Sequence, residues 1–175
     1  MNDKRKNLAD YPREKTCFFT GNRPYKLPWG ANETDNRCVE IKDKLKVTIQ
    51  SLYDDGIRLF VCGMAQGGDT YFAEAVLELK SKRFDVTLEC ALPCPGQADK
   101  WNERDKERHR GLLEKADFIT YVSDSFSKYC FFVRNRYMLD KSSVCIALDY
   151  GISGGTTSTV AQAKRKNAKI ILLNE

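Results

Sequence analysis

Glycine, a hydroxyl residue and a cation recur together along this sequence in a pattern suited to holding an anion. Thr20-Gly21-Asn22-Arg23-Pro24 sets an arginine two residues beyond a glycine. Gly63-Met64-Ala65-Gln66-Gly67-Gly68-Asp69-Thr70 and Ser153-Gly154-Gly155-Thr156-Thr157 each run from glycines into a hydroxyl residue where a helical pattern begins. Glycine lets the main chain approach a ligand, and the free N–H groups and positive dipole end of the following helix suit a phosphate. Arg23 and Arg134 bring guanidinium forks that match a phosphate in shape and charge. Leu92-Pro93-Cys94-Pro95-Gly96-Gln97 adds Pro93 and Gln97 as neighbours. Asp69 has three readings: a cap for free N–H groups, a partner for a ribose hydroxyl, or a weak candidate for a general acid or base. The catalytic set, if there is one, is otherwise unassigned.

Each of these features also has a purely structural reading, in which the glycines make tight turns and Thr70, Thr156 or Thr157 cap helices. Two glycine-led helix starts beside an arginine tip the balance towards a phosphorylated, nucleotide-like ligand. No Gly-Lys-Ser/Thr follows a glycine run, so a Walker phosphate loop is excluded, and the first loop lacks the Gly-x-Gly-x-x-Gly of ordinary dinucleotide dehydrogenases. Seven cysteines, an odd number with no Cys-x-x-Cys pair, and a single His109 argue against a disulfide framework, a structural zinc site and a histidine-based relay. No metal is expected. Cys17, Cys62, Cys90 and Cys145 lie in apolar runs and read as small hydrophobes.

These loops need elements to position them. Thr16–Thr20, Arg58–Cys62, Val86–Ala91, Phe118–Val122, Val144–Leu148 and Lys169–Leu173 read as strands, being short, apolar and rich in β-branched or aromatic residues. Between them Cys38–Tyr53, with Val39, Ile41, Leu45, Ile49 and Leu52, and Tyr71–Leu79 carry helical spacing. Further helices are expected at 100–115, 131–141 and 156–166. Strands joined by helices run parallel with right-handed crossovers, and nearly continuous apolar strands imply cover on both faces. The expectation is a Rossmann-like, doubly wound α/β fold: a mostly parallel six-stranded sheet with helices on both faces. In such sheets ligands bind at the carboxyl ends of the strands, where the four glycine-bearing loops belong. Arg134 and Arg136, two apart on a helix, diverge, so one at most reaches that edge. The run Glu103–Arg110 alternates in sign and reads as a wet helix face, with pairs Glu103–Lys106, Asp105–Arg108 and Glu107–Arg110.

The chain's 175 residues suit one domain, expected over 16–175 behind an N-terminal arm, 1–15, read as a mobile tail in preference to a strap over the sheet. With 29 Lys and Arg against 24 Asp and Glu, the net charge of +5 permits an anionic partner without demanding nucleic acid. No apolar run is long enough for a bilayer, and residues 1–15 lack a signal-peptide core. A cytoplasmic protein with no membrane partner is expected.

Gly63-Met64-Ala65-Gln66-Gly67-Gly68-Asp69, Arg134-Asn135-Arg136-Tyr137-Met138 and Ser153-Gly154-Gly155-Thr156 resemble the motifs of the SMF/DprA-LOG (SLOG) superfamily of Rossmann-like proteins. Cys17 to Pro24 and Ala91 to Trp101 resemble its bacterial YpsA-like branch. The resemblance implies a nucleotide-derived ligand at the glycine loops and a homodimer. LOG-type phosphoribohydrolases are similar in Arg134 and Met138, yet their loop carries a glutamate that assists N-glycosidic cleavage, whereas Thr156-Thr157-Ser158-Thr159-Val160-Ala161 follows here. DprA-type proteins, which bind single-stranded DNA, are similar in the Gly-x-Ala-x-Gly-x-Asp loop and in Arg-Asn-Arg. The leading expectation is binding or sensing of a phosphorylated nucleotide or nucleotide-derived small molecule, with no further cofactor assigned. Hydrolysis of an N-glycosidic or phosphate bond, and single-stranded DNA binding, are the alternatives.

Overall fold

The computed structural model describes residues 6–175. Six strands, β1 (Thr16–Gly21), β2 (Leu59–Cys62), β3 (Thr87–Leu92), β4 (Phe118–Tyr121), β5 (Val144–Leu148) and β6 (Lys169–Leu172), form one sheet in the order β4-β3-β2-β1-β5-β6. Every pairing is parallel. The helices are α1 (Asn36–Asp54), α2 (Gly68–Lys80), α3 (Glu103–Lys115), α4 (Cys130–Asp140) and α5 (Gly155–Arg165).

The central strands are buried on both sides, so their side chains divide by the two-residue period of a strand. Cys17 and Phe19 of β1 join one core with Phe60, Leu88, Ile146 and residues of α1, α2 and α3. Phe18 joins the other with Val61, Ala91, Cys145, Met138 of α4 and Val160 of α5. Helix α1 begins at Asp35, whose side chain accepts from the Arg37 N–H. It buries Cys38, Ile41, Leu45, Ile49 and Leu52, each of the larger side chains contributing about 1.5–3 kcal/mol. Val39, assigned to that stripe from sequence, is exposed, because Cys38 takes the inward position.

From β1 to β4 the chain builds outward in one direction, then returns to place β5 on the free side of β1. The strand order therefore reverses between β1 and β5, opening a crevice at their carboxyl ends. Asn22, 2% exposed, holds the crevice together: its N–H donates to the Leu148 carbonyl at 3.0 Å, and its Oδ1 accepts from the Tyr150 N–H at 2.8 Å.

The ion pairing expected on α3 changes. Of the three pairs expected on α3, only Glu103–Lys106 forms among the described residues. Arg108 turns inward to Glu33 and Glu74, and Asp105 accepts from Gln66 and Asn102, because this face of α3 packs beside α2 and the loop before α1. In the expected arm, residues 1–5, including Lys4 and Arg5, lie outside the described residues. From Lys6 onward the chain makes two short 3-10 turns, with Lys6 paired to Asp117 and the Tyr11 hydroxyl 2.7 Å from Thr87 Oγ1.

Candidate functional site

The loops after β1 and β2 and the starts of α4 and α5 converge on a cavity of about 430 Å³ at the β1/β5 crevice. Its walls include Thr20, Gly21, Asn22, Arg23, Tyr25 and Lys26 from the first loop, Ala65 and Asp69 from the second, Phe131, Arg134, Asn135 and Met138 from α4, and Gly155 and Thr156 from α5.

Arg134 is the most constrained of these, at 4% exposed. Its Nη1 donates to the carbonyls of Gly63 and Ala91, and its Nε donates to Asn135 Oδ1 at 2.9 Å. Nη2 has no partner among the described residues. Burial pulls the Arg134 pKa down; neighbouring Asp69 opposes this and Arg23 reinforces it. A guanidinium nevertheless stays charged in proteins, so a fixed cation stands in the cavity wall with donor capacity to spare. Gly63 is required for this: a Cβ there would lie 1.9 Å from Arg134 Nη1. Arg23 and Arg134 both sit over the Phe131 ring, their guanidinium carbons 5.7 and 5.9 Å from its centroid.

Asp69, 6% exposed, is the buried counter-charge. Its Oδ2 accepts from the Ala65 N–H at 2.9 Å. Burial raises its pKa, and the charges of Arg134 and Arg23 together with the Ala65 N–H only partly offset that. Asp69 does not cap α2. The N-cap is Gly67, at a φ of 87° that favours glycine, and the Thr70 and Tyr71 N–H groups both donate to its carbonyl.

Helix α5 starts without a side-chain cap at Gly154. Among the described residues, the N–H groups of Gly155, Thr156 and Thr157 meet no acceptor, the first turn's hydrogen bonding starting at Ser158 N–H to the Gly154 carbonyl. The Thr157 hydroxyl is turned away, donating to Asp149 Oδ1 and the Ile152 carbonyl. Lys26 reaches across the same loop, its Nζ 2.8 Å from the Ser153 carbonyl it donates to. Two arginines, a lysine and an uncapped helix start thus surround one cavity in which Asp69 is the only carboxylate among the described wall residues, a field that favours an anion.

Of the residues expected at the site, Thr20, Gly21, Arg23, Ala65, Asp69, Arg134, Gly155 and Thr156 meet around this cavity. The others lie behind or beside it. Met64 is buried in the core against Cys62, and Gly68 packs on the Phe19 ring. Gly63 accepts from Arg134 and from Gln97 Nε2, which is how the Pro93–Gln97 loop connects to the site. Gly67 borders a second cavity, Ser153 and Gly154 form the outer loop, and Thr157 lies in the first turn of α5. Arg136 points outward, 3.7 Å from Asp140, as helical divergence from Arg134 requires. Sequence reasoning passed over Asn22, Tyr25, Lys26, Phe131, Asn135 and Met138 as wall residues. Asn22, between Gly21 and Arg23, and Asn135, between Arg134 and Arg136, lay inside the motifs already singled out, and their place beside those arginines was the available signal.

Comparison with known proteins bears on the family and the fold. The sequence model of the YspA SLOG family matches residues 17–172. A UPF0398 protein of Bacillus pumilus is 30% identical over 137 residues, covering 77% of this chain and 73% of the relative. Another, of Oceanobacillus iheyensis, is 27% identical over 157 residues, covering 89% and 84%. Among solved structures, DNA processing protein A (DprA) of Streptococcus pneumoniae superposes with a TM-score of 0.62 at 15% identity, over 93% of this chain and 50% of that one. DprA of Helicobacter pylori, described with a single-stranded DNA binding mode, gives 0.62 at 17% identity over 98% and 74%. At these identities the likeness is one of fold; the chain spans half the length of the streptococcal protein. No described helix is long and apolar enough to cross a membrane.

Proposed function

Because the chain belongs to the YspA SLOG family, we propose that its β1/β5 cavity binds a phosphorylated nucleotide or nucleotide-derived small molecule, as a sensor in the cytoplasm. The observation that carries this reading is Arg134: a buried cation with one terminal nitrogen unpartnered, in the same wall as the uncapped start of α5. Phosphate oxygens would satisfy both, Arg134 and Arg23 donating from α4 and the first loop while Gly155 and Thr156 donate main-chain N–H groups. Asp69 would face a ribose hydroxyl. With no glutamate after Gly154-Gly155, cleavage would fall to Asp69 alone, and we read the site as binding. Calorimetry against adenine nucleotides tests it. Arg23→Ala should weaken the bound nucleotide by about 1.5–3 kcal/mol, tenfold or more; unchanged affinity would remove Arg23 from the site. A homodimer belongs to this reading and is checked by sedimentation.

A second reading rests on a separate observation. Phe126, Tyr129 and Phe132, before and within the first turn of α4, are exposed, and Lys128 lies 4.9 Å from the Tyr129 ring centroid. Exposed aromatics interleaved with cations suit stacked single-stranded bases. Oligonucleotide binding that weakens steeply with salt would favour it, and salt-independent or absent binding would dismiss it.

A further inference from the structure

The cysteines are free and buried, but they are not alike. Cys17, Cys38, Cys62, Cys90 and Cys145 lie within strands or α1, where ladder and helix hydrogen bonds fix the main chain. Cys62 and Cys90, register partners on β2 and β3, are held at the spacing of neighbouring strands, about 4.8 Å. Cys94 and Cys130 stand outside the sheet. Cys94 is in the loop after β3, directly before exposed Pro95 and Gly96, and Cys130 opens α4 directly after exposed Lys128 and Tyr129. No ladder fixes the distance between these two.

Contacts on both sides of Cys94 hold it against the start of α4. Arg134, one helical turn beyond Cys130, donates through Nη1 to the carbonyl of Ala91, three residues before Cys94, and to that of Gly63. The Gly63 carbonyl also accepts, at 2.9 Å, from Nε2 of Gln97, three residues after Cys94. The chain flanking Cys94 is therefore tied to the helix turn that carries Cys130. The two thiols close this frame, in hydrogen-bond contact with each other. A thiolate at Cys130 also lies in the field of the Arg134 guanidinium, a setting that favours reaction.

We propose that Cys94 and Cys130 form a reversible disulfide with hydrogen peroxide as oxidant, a modification site that clamps the first turn of α4 to the loop after β3. One thiolate of the pair attacks a peroxide oxygen, breaking the O–O bond, releasing hydroxide and leaving a sulfenic acid. The other thiolate attacks that sulfur and displaces a second hydroxide. The protons given up by the two thiols convert both hydroxides to water, so two electrons pass from the pair to one peroxide. Burial and the neighbouring thiol raise the Cys94 pKa, so the pair answers to sustained oxidant more than to a brief pulse. The S–S bond, about 2.05 Å long, is shorter than van der Waals contact and draws Cys130 towards the loop. Phe131, the next residue, is part of the wall of the β1/β5 cavity and lies under the guanidinium groups of Arg23 and Arg134. Oxidation is thereby passed to the cavity wall, whatever ligand the cavity takes.

Peptide mapping by mass spectrometry, after sustained exposure of the unaltered chain to millimolar peroxide, tests this. The chain should lose the mass of two hydrogen atoms and two of its seven thiols. The peptides holding Cys94 and Cys130 should be linked, and dithiothreitol should release them. The oxidised chain should unfold at a higher temperature than the reduced one, because the bond closes a loop in the unfolded chain. Cys94→Ser should remove the link, and its unfolding temperature should not change with peroxide; cooperative unfolding shows that the variant is folded. Sulfinic acid at either residue without a link, a link confined to other cysteines, or a folded chain that keeps all its thiols would overturn the disulfide. A linked chain that unfolds no later than the reduced one would overturn the clamp.

Discussion

Asp69 and Arg134 show how burial sets the terms of this site. Each is nearly inaccessible and each opposes the desolvation of the other. Water is too scarce there to screen them, so a charge change at one is felt at the other and by any bound anion. Since burial holds the Asp69 pKa above the ordinary carboxylate value, this residue takes up its proton earlier than exposed carboxylates as pH falls. Protonation removes the cavity's buried negative charge. Affinity for ADP-ribose, whose pyrophosphate is already ionised at neutral pH, should therefore rise as pH is lowered from neutral towards the range where exposed carboxylates titrate. In Asp69→Asn the dependence should flatten. Calorimetry at stepped pH checks it; an affinity that falls with pH, or a slope the variant preserves, would place Asp69 outside the ligand's field.

Among the elements, the sheet carries its own buried charge. Glu89 on β3 is fully buried and accepts from Thr120 of β4, Tyr137 of α4 and Lys141 just beyond α4. This network anchors the C-terminal end of the helix that presents Arg134. Lys141→Met removes the cation and leaves the carboxylate, and it should cost about 3 kcal/mol in urea unfolding. The double change with Glu89→Gln should restore most of that loss, and a single-variant loss under about 1 kcal/mol would deny the network its role. Asp117, just before β4, gives this same β3/β4 edge a pH signature. Burial alone would raise its pKa, but hydrogen bonds from Lys80, the Leu88 N–H and Lys6 outweigh burial and set it below the ordinary aspartate value. A depressed folded pKa stabilises above the unfolded value, and the gain disappears as pH falls through the folded one. Asp117→Asn should thus cost about 1 kcal/mol at pH 7, after allowance for solvent screening, and the cost should shrink as pH falls below the ordinary aspartate value. A penalty that persists in acid would assign Asp117 a purely steric part.

For the molecule as a whole, the sheet and its helices were legible because burial imposes periodicity. Val144–Leu148 is apolar at every position, as a strand covered on both faces must be, and the observed strand has the same ends. Strand order was not legible: nothing local in Val144–Leu148 says that it pairs with β1 and not with β4, since that choice depends on crossovers spanning the whole chain. The site was half legible for the same reason. Glycine loops announce where the main chain bends, yet Met64 in such a loop turns into the core, and Phe131, with no polar signal at all, enters the wall because α4 lies over the crevice. Asp105 and Arg108 sit at helical pairing distance in sequence, but stronger partners on neighbouring elements claimed both.

The central claim is that phosphate meets the free N–H groups at the start of α5 beside Arg134. It is tested most directly by following backbone amide resonances during titration with ADP-ribose. The Gly155 and Thr156 amides should shift furthest and saturate together with the Arg134 side-chain Nε–H. Saturable shifts confined to other surfaces, with those three signals unmoved, would contradict the account.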